Sequence, residues 1–175
     1  MEQIKNPYEF SLNFEIEGVN LYLKLARETK NILGKRLFYT LARQEIEHAQ
    51  RFDEIYTLIL EKKNIKEIKF ENSNINKVED EIKLFFTNVK KFSLKDNVED
   101  TSSYDLAMEM EEKTIKVYTD FLQQSGKEEE KDFFRQLLKE ENKHLEALKN
   151  VYSYLKSSGD WFKEDESKIW NWMNI

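Results

Sequence analysis

Both histidines of the chain close the same four-residue pattern, Glu45-Ile46-Glu47-His48 and Glu141-Asn142-Lys143-His144. On a helix, residues three apart project from one face, so each pair can offer a metal ion a carboxylate oxygen and an imidazole nitrogen together. Thirty residues before each motif glutamate stands another, Glu15 and Glu111, and seven residues after each of those stands a tyrosine, Tyr22 and Tyr118. One shift of 96 positions carries 15 to 111, 22 to 118, 45 to 141 and 48 to 144. The same shift pairs Lys35 with Lys131, Phe38 with Phe134, Leu41 with Leu137 and Tyr56 with Tyr152. The chain reads as a duplicated helical hairpin whose best-matched positions are those a metal would use.

Four carboxylates brought together in a core must be protonated, pushed apart or neutralised by cations. Two divalent cations balance four carboxylates. Oxygen donors with two imidazoles suit iron or manganese better than a tetrahedral structural zinc, and this donor set is that of di-iron carboxylate bundles. A single Glu-x-x-His in so acidic a chain is a weak motif. Two at one shift, each with its upstream glutamate on an apolar stripe, are specific. Tyr22 and Tyr118 are expected to be core residues that also hydrogen-bond the ligands. Glu17, Glu47, Glu112 and Glu140 flank the candidate ligands but fall off the stripes, so solvent exposure is expected for them. Glu109 can be read either way.

Periodicity supplies the elements that would position these groups. A first helix starts at Asn6 and Pro7, runs to about Asn31, and carries the stripe Ser11, Glu15, Gly18, Tyr22, Leu25. A break at Gly34 admits a second helix, about Lys35 to Lys62, with the stripe Phe38, Leu41, Glu45, His48, Phe52, Ile55. A polar linker, Asn64 to Ile75, precedes a shorter amphipathic helix marked by Val78, Ile82, Phe85, Val89 and Phe92. The third long helix follows Thr101 to Ser103 with Ala107, Glu111, Thr114, Tyr118 and Phe121 inward, and Gly126 ends it. The fourth carries Phe134, Leu137, Glu141, His144, Leu148 and Val151 to about Lys156. Short breaks within pairs and a long connection between them describe an all-α fold: a four-helix bundle with one crossover that carries a short extra helix.

Composition narrows the function classes. At 175 residues the chain suits one substantial core, expected over residues 1–157, with an aromatic tail over 158–175. One proline, four glycines and 35% charged residues favour long helices with solvated faces. The absence of cysteine excludes disulfides, thiolate metal sites and a cysteine nucleophile. A net charge of −6 with interspersed lysines argues against nucleic acid as a partner. No apolar run is long enough for a membrane span, and Met1-Glu2-Gln3 lacks the start of a secretory signal, so a cytoplasmic location is expected. The tail, with Trp161, Trp170 and Trp172, is expected to pack on the bundle or on a partner.

The motifs Glu15-x-Glu-Gly-x-x-x-Tyr22, Ala42-Arg-Gln-Glu45-Ile-Glu-His48-Ala, Ala107-x-x-x-Glu111 and Glu141-x-x-His144 resemble those of rubrerythrins, in the ferritin-like superfamily. The resemblance spans about residues 8 to 157. It implies a ferritin-like bundle holding two iron ions, replaceable by manganese or zinc. Glu45 and Glu141 would bridge, Glu15 and Glu111 would be terminal ligands, and His48 and His144 would bind one ion each. It further implies reduction of hydrogen peroxide, or reaction with dioxygen, and a homodimer. Two departures stand out. Thr114 occupies the position where rubrerythrins usually carry a further glutamate, and the four cysteines of a rubredoxin-type iron site are missing. Electrons would then come from a separate donor, such as a rubredoxin-type protein. The same ligands would also serve a ferroxidase or iron-storage subunit, or a structural or sensory metal.

Overall fold

The computed structural model describes residues 6–61, 63, 78–89 and 101–156, the side chains of 85–89 excepted. It contains α1 (Pro7–Glu28), α2 (Ile32–Leu60), α3 (Val78–Val89), α4 (Ser102–Gln124) and α5 (Glu128–Lys156), with no strand among the described residues. The linker Asn64 to Ile75, Phe92 and the aromatic tail from 158 onward lie outside them.

Local chemistry sets the helix ends. The Asn6 side chain accepts from the Tyr8 and Glu9 amides, and Pro7 occupies the first turn, where its missing N–H costs nothing. The break between α1 and α2 falls at 29–31, not at Gly34 as periodicity suggested. Asn31 caps α2 by accepting from the Leu33 amide at 2.8 Å, so the helix begins early and Gly34 is buried within its first turn. Lys35 then reaches back to the Ala26 carbonyl at 2.9 Å, satisfying an acceptor left open at the end of α1.

Two apolar layers fix the topology. In one, Tyr22, Leu25, Phe38, Leu41, Tyr104, Leu148 and Val151 pack together; in the other, Tyr8, Phe52, Ile55, Tyr118, Phe121, Phe134 and Leu137 do. α1 and α5 run from the second layer to the first, whereas α2 and α4 run from the first to the second. Each hairpin is therefore antiparallel, and α2 and α4 run the same way. The chain must travel the length of the bundle between them. Val78 and Ile82 of α3 join the first layer, where that crossover has to arrive. Arg36 on α2 clamps Glu81 of α3 with two parallel bonds of 3.1 Å, and Lys143 on α5 holds Glu79. Along every long helix, the candidate ligands lie between the two apolar layers.

Candidate metal centre

Each long helix contributes to one polar layer: Glu15 from α1, Glu45 and His48 from α2, Glu111 from α4, Glu141 and His144 from α5. All six are at most 4% exposed. Their donor atoms form two groups, Glu15, Glu45, His48 and Glu141 in one, Glu45, Glu111, Glu141 and His144 in the other. Within each group those atoms lie within 4.8 Å of one another. Glu45 and Glu141 belong to both.

The sharing is atom by atom. Glu45 presents Oε2 to His48 Nδ1 at 3.3 Å and Oε1 to His144 Nδ1 at 3.2 Å. Glu141 presents Oε1 to His48 Nδ1 at 2.8 Å and Oε2 to His144 Nδ1 at 3.2 Å. Glu15 lies 3.8 Å from His48 Nδ1 only, and Glu111 lies 3.5 Å from His144 Nδ1 only. The imidazoles stack at 5.6 Å between centroids, nearly parallel. Both turn Nδ1 inward.

Both tyrosines cross the bundle. Tyr22 on α1 donates its hydroxyl to Glu111 on α4, and Tyr118 on α4 donates to Glu15 on α1. Burial and the facing carboxylates hold both phenols well above their usual pKa, so they remain donors. Gly18, one turn beyond Glu15, faces Glu45: a Cβ there would sit in contact with Glu45 Cγ at 3.4 Å. Thr114, which the shift of 96 relates to Gly18, turns its hydroxyl to the Met110 carbonyl at 3.1 Å and contributes no carboxylate.

Electrostatics favours a bound cation. Burial and the neighbouring Glu45 charge push Glu15 well up, and burial raises Glu111 to about 8 despite His144. Burial also acts to raise Glu45 and Glu141, but the two imidazoles outweigh it and both end low. Burial works against protonated imidazole, yet the surrounding carboxylates hold His48 and His144 well above the usual histidine range. Without metal, these directions favour protons on Glu15, Glu111 and both imidazoles and ionised carboxylates at Glu45 and Glu141. Even so, both Glu141 oxygens and His144 Nδ1 have no aligned hydrogen-bond partner among the described residues. Their close approaches lie off the hydrogen-bond directions. Buried lone pairs aimed at a common volume from four carboxylates and two imidazoles fit two divalent cations, which would balance four ionised carboxylates beside neutral imidazoles.

The flanking acids divide. Glu17, Glu109 and Glu112 are exposed. Glu47 is partly buried, with Oε1 enclosed and unpartnered among the described residues, so the expectation of exposure fails for it. Glu140 keeps a side chain 38% exposed, yet its Oε2 lies 2.8 Å from His48 Nε2 and accepts from Arg51 at 2.8 Å, a contact the sequence reading did not expect. Burial opposes the Glu140 charge, but His48 and Arg51 outweigh it and hold the carboxyl at about 2. Periodicity missed Glu140 because it tracks the inward stripe, and this side chain reaches the far edge of an imidazole from the stripe's margin.

No helix among the described residues is long and apolar enough to cross a membrane. No curated protein and no solved structure matches the chain. The family model described as Rubrerythrin matches residues 9–152, a span that holds all six inward donors and both tyrosines. The chain belongs to the rubrerythrin family.

Proposed function

We propose that Glu15, Glu45, His48, Glu111, Glu141 and His144 hold two iron ions, and that the protein reduces hydrogen peroxide with electrons from a separate donor protein. The observation that carries this reading is the shared geometry of Glu45 and Glu141, each presenting one oxygen to each imidazole. Such carboxylates suit bridging positions, while Glu15 and Glu111 each serve one side. When bound, two iron ions would supply electrons and polarise an O–O bond. Breaking that bond to give two waters consumes two electrons and two protons.

The chain's own residues account for the rest. Tyr118 fixes Oε1 of Glu15 and leaves Oε2 to face His48, whereas Tyr22 donates to Oε1 of Glu111, the same oxygen that faces His144. The apolar layers on either side, with Phe38 and Leu41 above and Phe52 and Leu137 below, exclude bulk water and lower the local dielectric. A small oxidant suits so enclosed a layer. These 175 residues carry no cysteine to hold a rubredoxin-type iron, and a rubredoxin-type carrier is the fitting class of electron donor.

Anaerobic mixing of the iron-loaded, reduced protein with hydrogen peroxide or dioxygen tests this. Faster oxidation by peroxide, with two electrons taken per peroxide, is expected. Faster oxidation by dioxygen, with added Fe(II) turned over to ferric product, would replace the reading with a ferroxidase.

A further inference from the structure

The shift of 96 positions holds for all six inward donors but fails immediately beside them. Glu140 has Gln44 as its counterpart, and Arg51 has Ala147. The two unmatched residues meet in the structure. Arg51 Nη1 donates to Glu140 Oε2 at 2.8 Å, and that same oxygen lies 2.8 Å from His48 Nε2. His48 is thereby gripped at both ring nitrogens, with Nδ1 facing Glu15, Glu45 and Glu141 and Nε2 facing Glu140. His144 makes its carboxylate contacts through Nδ1, to Glu45, Glu111 and Glu141. Gln44 leaves its Oε1 buried without a hydrogen-bond partner among the described residues.

A carboxylate on the far nitrogen of a metal-binding histidine does three things. It fixes the proton on that nitrogen, which leaves the inner nitrogen's lone pair free. It locks the ring's orientation. It also makes the ring a stronger donor. A neutral amide in the matching place supplies no such charge, and an alanine cannot orient a carboxylate. Arg51 is only 16% exposed, so its planar guanidinium is well placed to keep Glu140 turned toward the imidazole. A surface pair of Arg51 and Glu140 alone would carry little weight. The oxygen they share with a fully buried imidazole is what gives the contact a role.

We propose that Glu140, oriented by Arg51, is a positioning residue for His48 and makes the two metal positions unequal, the His48 side binding its ion more tightly. The inference rests on the metal-centre reading above and adds to it a difference between positions that the duplicated ligand set would otherwise make alike.

Titration of the metal-free full chain with Co(II), followed by visible absorption and calorimetry, tests both. Wild type should take up two ions in two resolved steps, with His48→Ala removing the tighter one. Glu140→Ala should weaken the tighter step about tenfold or more, the usual effect of deleting such a partner, and leave the weaker step unchanged. Glu140→Gln, whose amide oxygen can still accept from Nε2–H, should fall between them. In the cobalt-loaded protein, the exchangeable Nε2–H proton resonance of His48 should exchange slowly with water in wild type and rapidly in Glu140→Ala. Two indistinguishable steps in wild type, or equal weakening of both in Glu140→Ala, would overturn the inference while leaving the metal centre standing. Uptake of fewer than two ions by wild type would overturn the metal-centre reading, and this inference with it.

Discussion

Tyr118 on α4 donates its hydroxyl to Glu15 on α1, and the shift of 96 positions repeats the bond in reverse, from Tyr22 on α1 to Glu111 on α4. Each hairpin thus supplies the donor that orients the other hairpin's outer carboxylate. The polar layer closes only when both hairpins dock, which ties the fold to the site.

Tyr118→Phe removes that donor without changing the ring's packing against Phe52 and Phe134. A buried Glu15 oxygen loses its partner, at a cost of about 1–3 kcal/mol. Chemical denaturation of the metal-free variant should show a loss of that size with an unchanged slope. Equal stability would mean that the bond contributes nothing.

Bridging and terminal carboxylates should separate in metal analysis. Glu45→Ala and Glu141→Ala should lose both ions, because each residue serves both groups. Glu15→Ala should lose mainly the ion on the His48 side, and Glu111→Ala mainly the ion on the His144 side. Equal losses in all four variants would contradict the division of roles.

Removing the metal should lower the melting temperature without abolishing helical structure. Ions that bind only the native state stabilise it by mass action, about 2.7 kcal/mol at a hundredfold excess over Kd. The aromatic layers around Phe38 and Phe134 bury their area whether or not metal is present. Far-ultraviolet circular dichroism of chelated protein checks this. A collapse of helicity would show that the metal, not the apolar layers, holds the bundle together.

The response to pH should reverse sign with loading. Without metal, Glu15 and Glu111 titrate above their unfolded values, Glu111 at about 8. Their contribution is complete below about pH 4.5 and is lost as pH rises toward those folded values. His48 and His144, also raised, contribute fully below about pH 6.5 and lose that contribution above it. Glu45 and Glu141, held low, contribute above about pH 4.5 and lose it in stronger acid. Metal-free protein should therefore melt higher at pH 5.5 than at pH 8.5. Two divalent ions must displace the protons of Glu15, Glu111, His48 and His144, so metal affinity should rise over the same interval. A metal-free melting temperature that climbs toward pH 8.5 would contradict the buried cluster.

Much of this was legible in the sequence because duplication wrote it twice. Glu15 and Glu111, Tyr22 and Tyr118, and the two Glu-x-x-His pairs sit on helical stripes that periodicity can trace; the structure gathers the six donors into one layer, and the two tyrosines reach it from the apolar layers on either side. What repetition did not repeat was hidden. Glu140 and Arg51 have no counterparts in the other half, and their meeting with His48 depends on how α2 and α5 pack. The start of α2 was misplaced for a local reason: glycine suggested the break, but the Asn31 side chain cap decided it. The crossing of the tyrosines also lay beyond periodicity, which places a hydroxyl on a face but does not say which hairpin it reaches.

The central claim is that six residues from four helices hold two ions side by side. Anomalous diffraction at the iron edge from crystals of the iron-loaded protein measures this directly. Two peaks about 3.5–4 Å apart are predicted, the usual two-metal separation, with Glu45 and Glu141 touching both, His48 and Glu15 one, His144 and Glu111 the other. A single peak, or iron bound away from these six side chains, would contradict it.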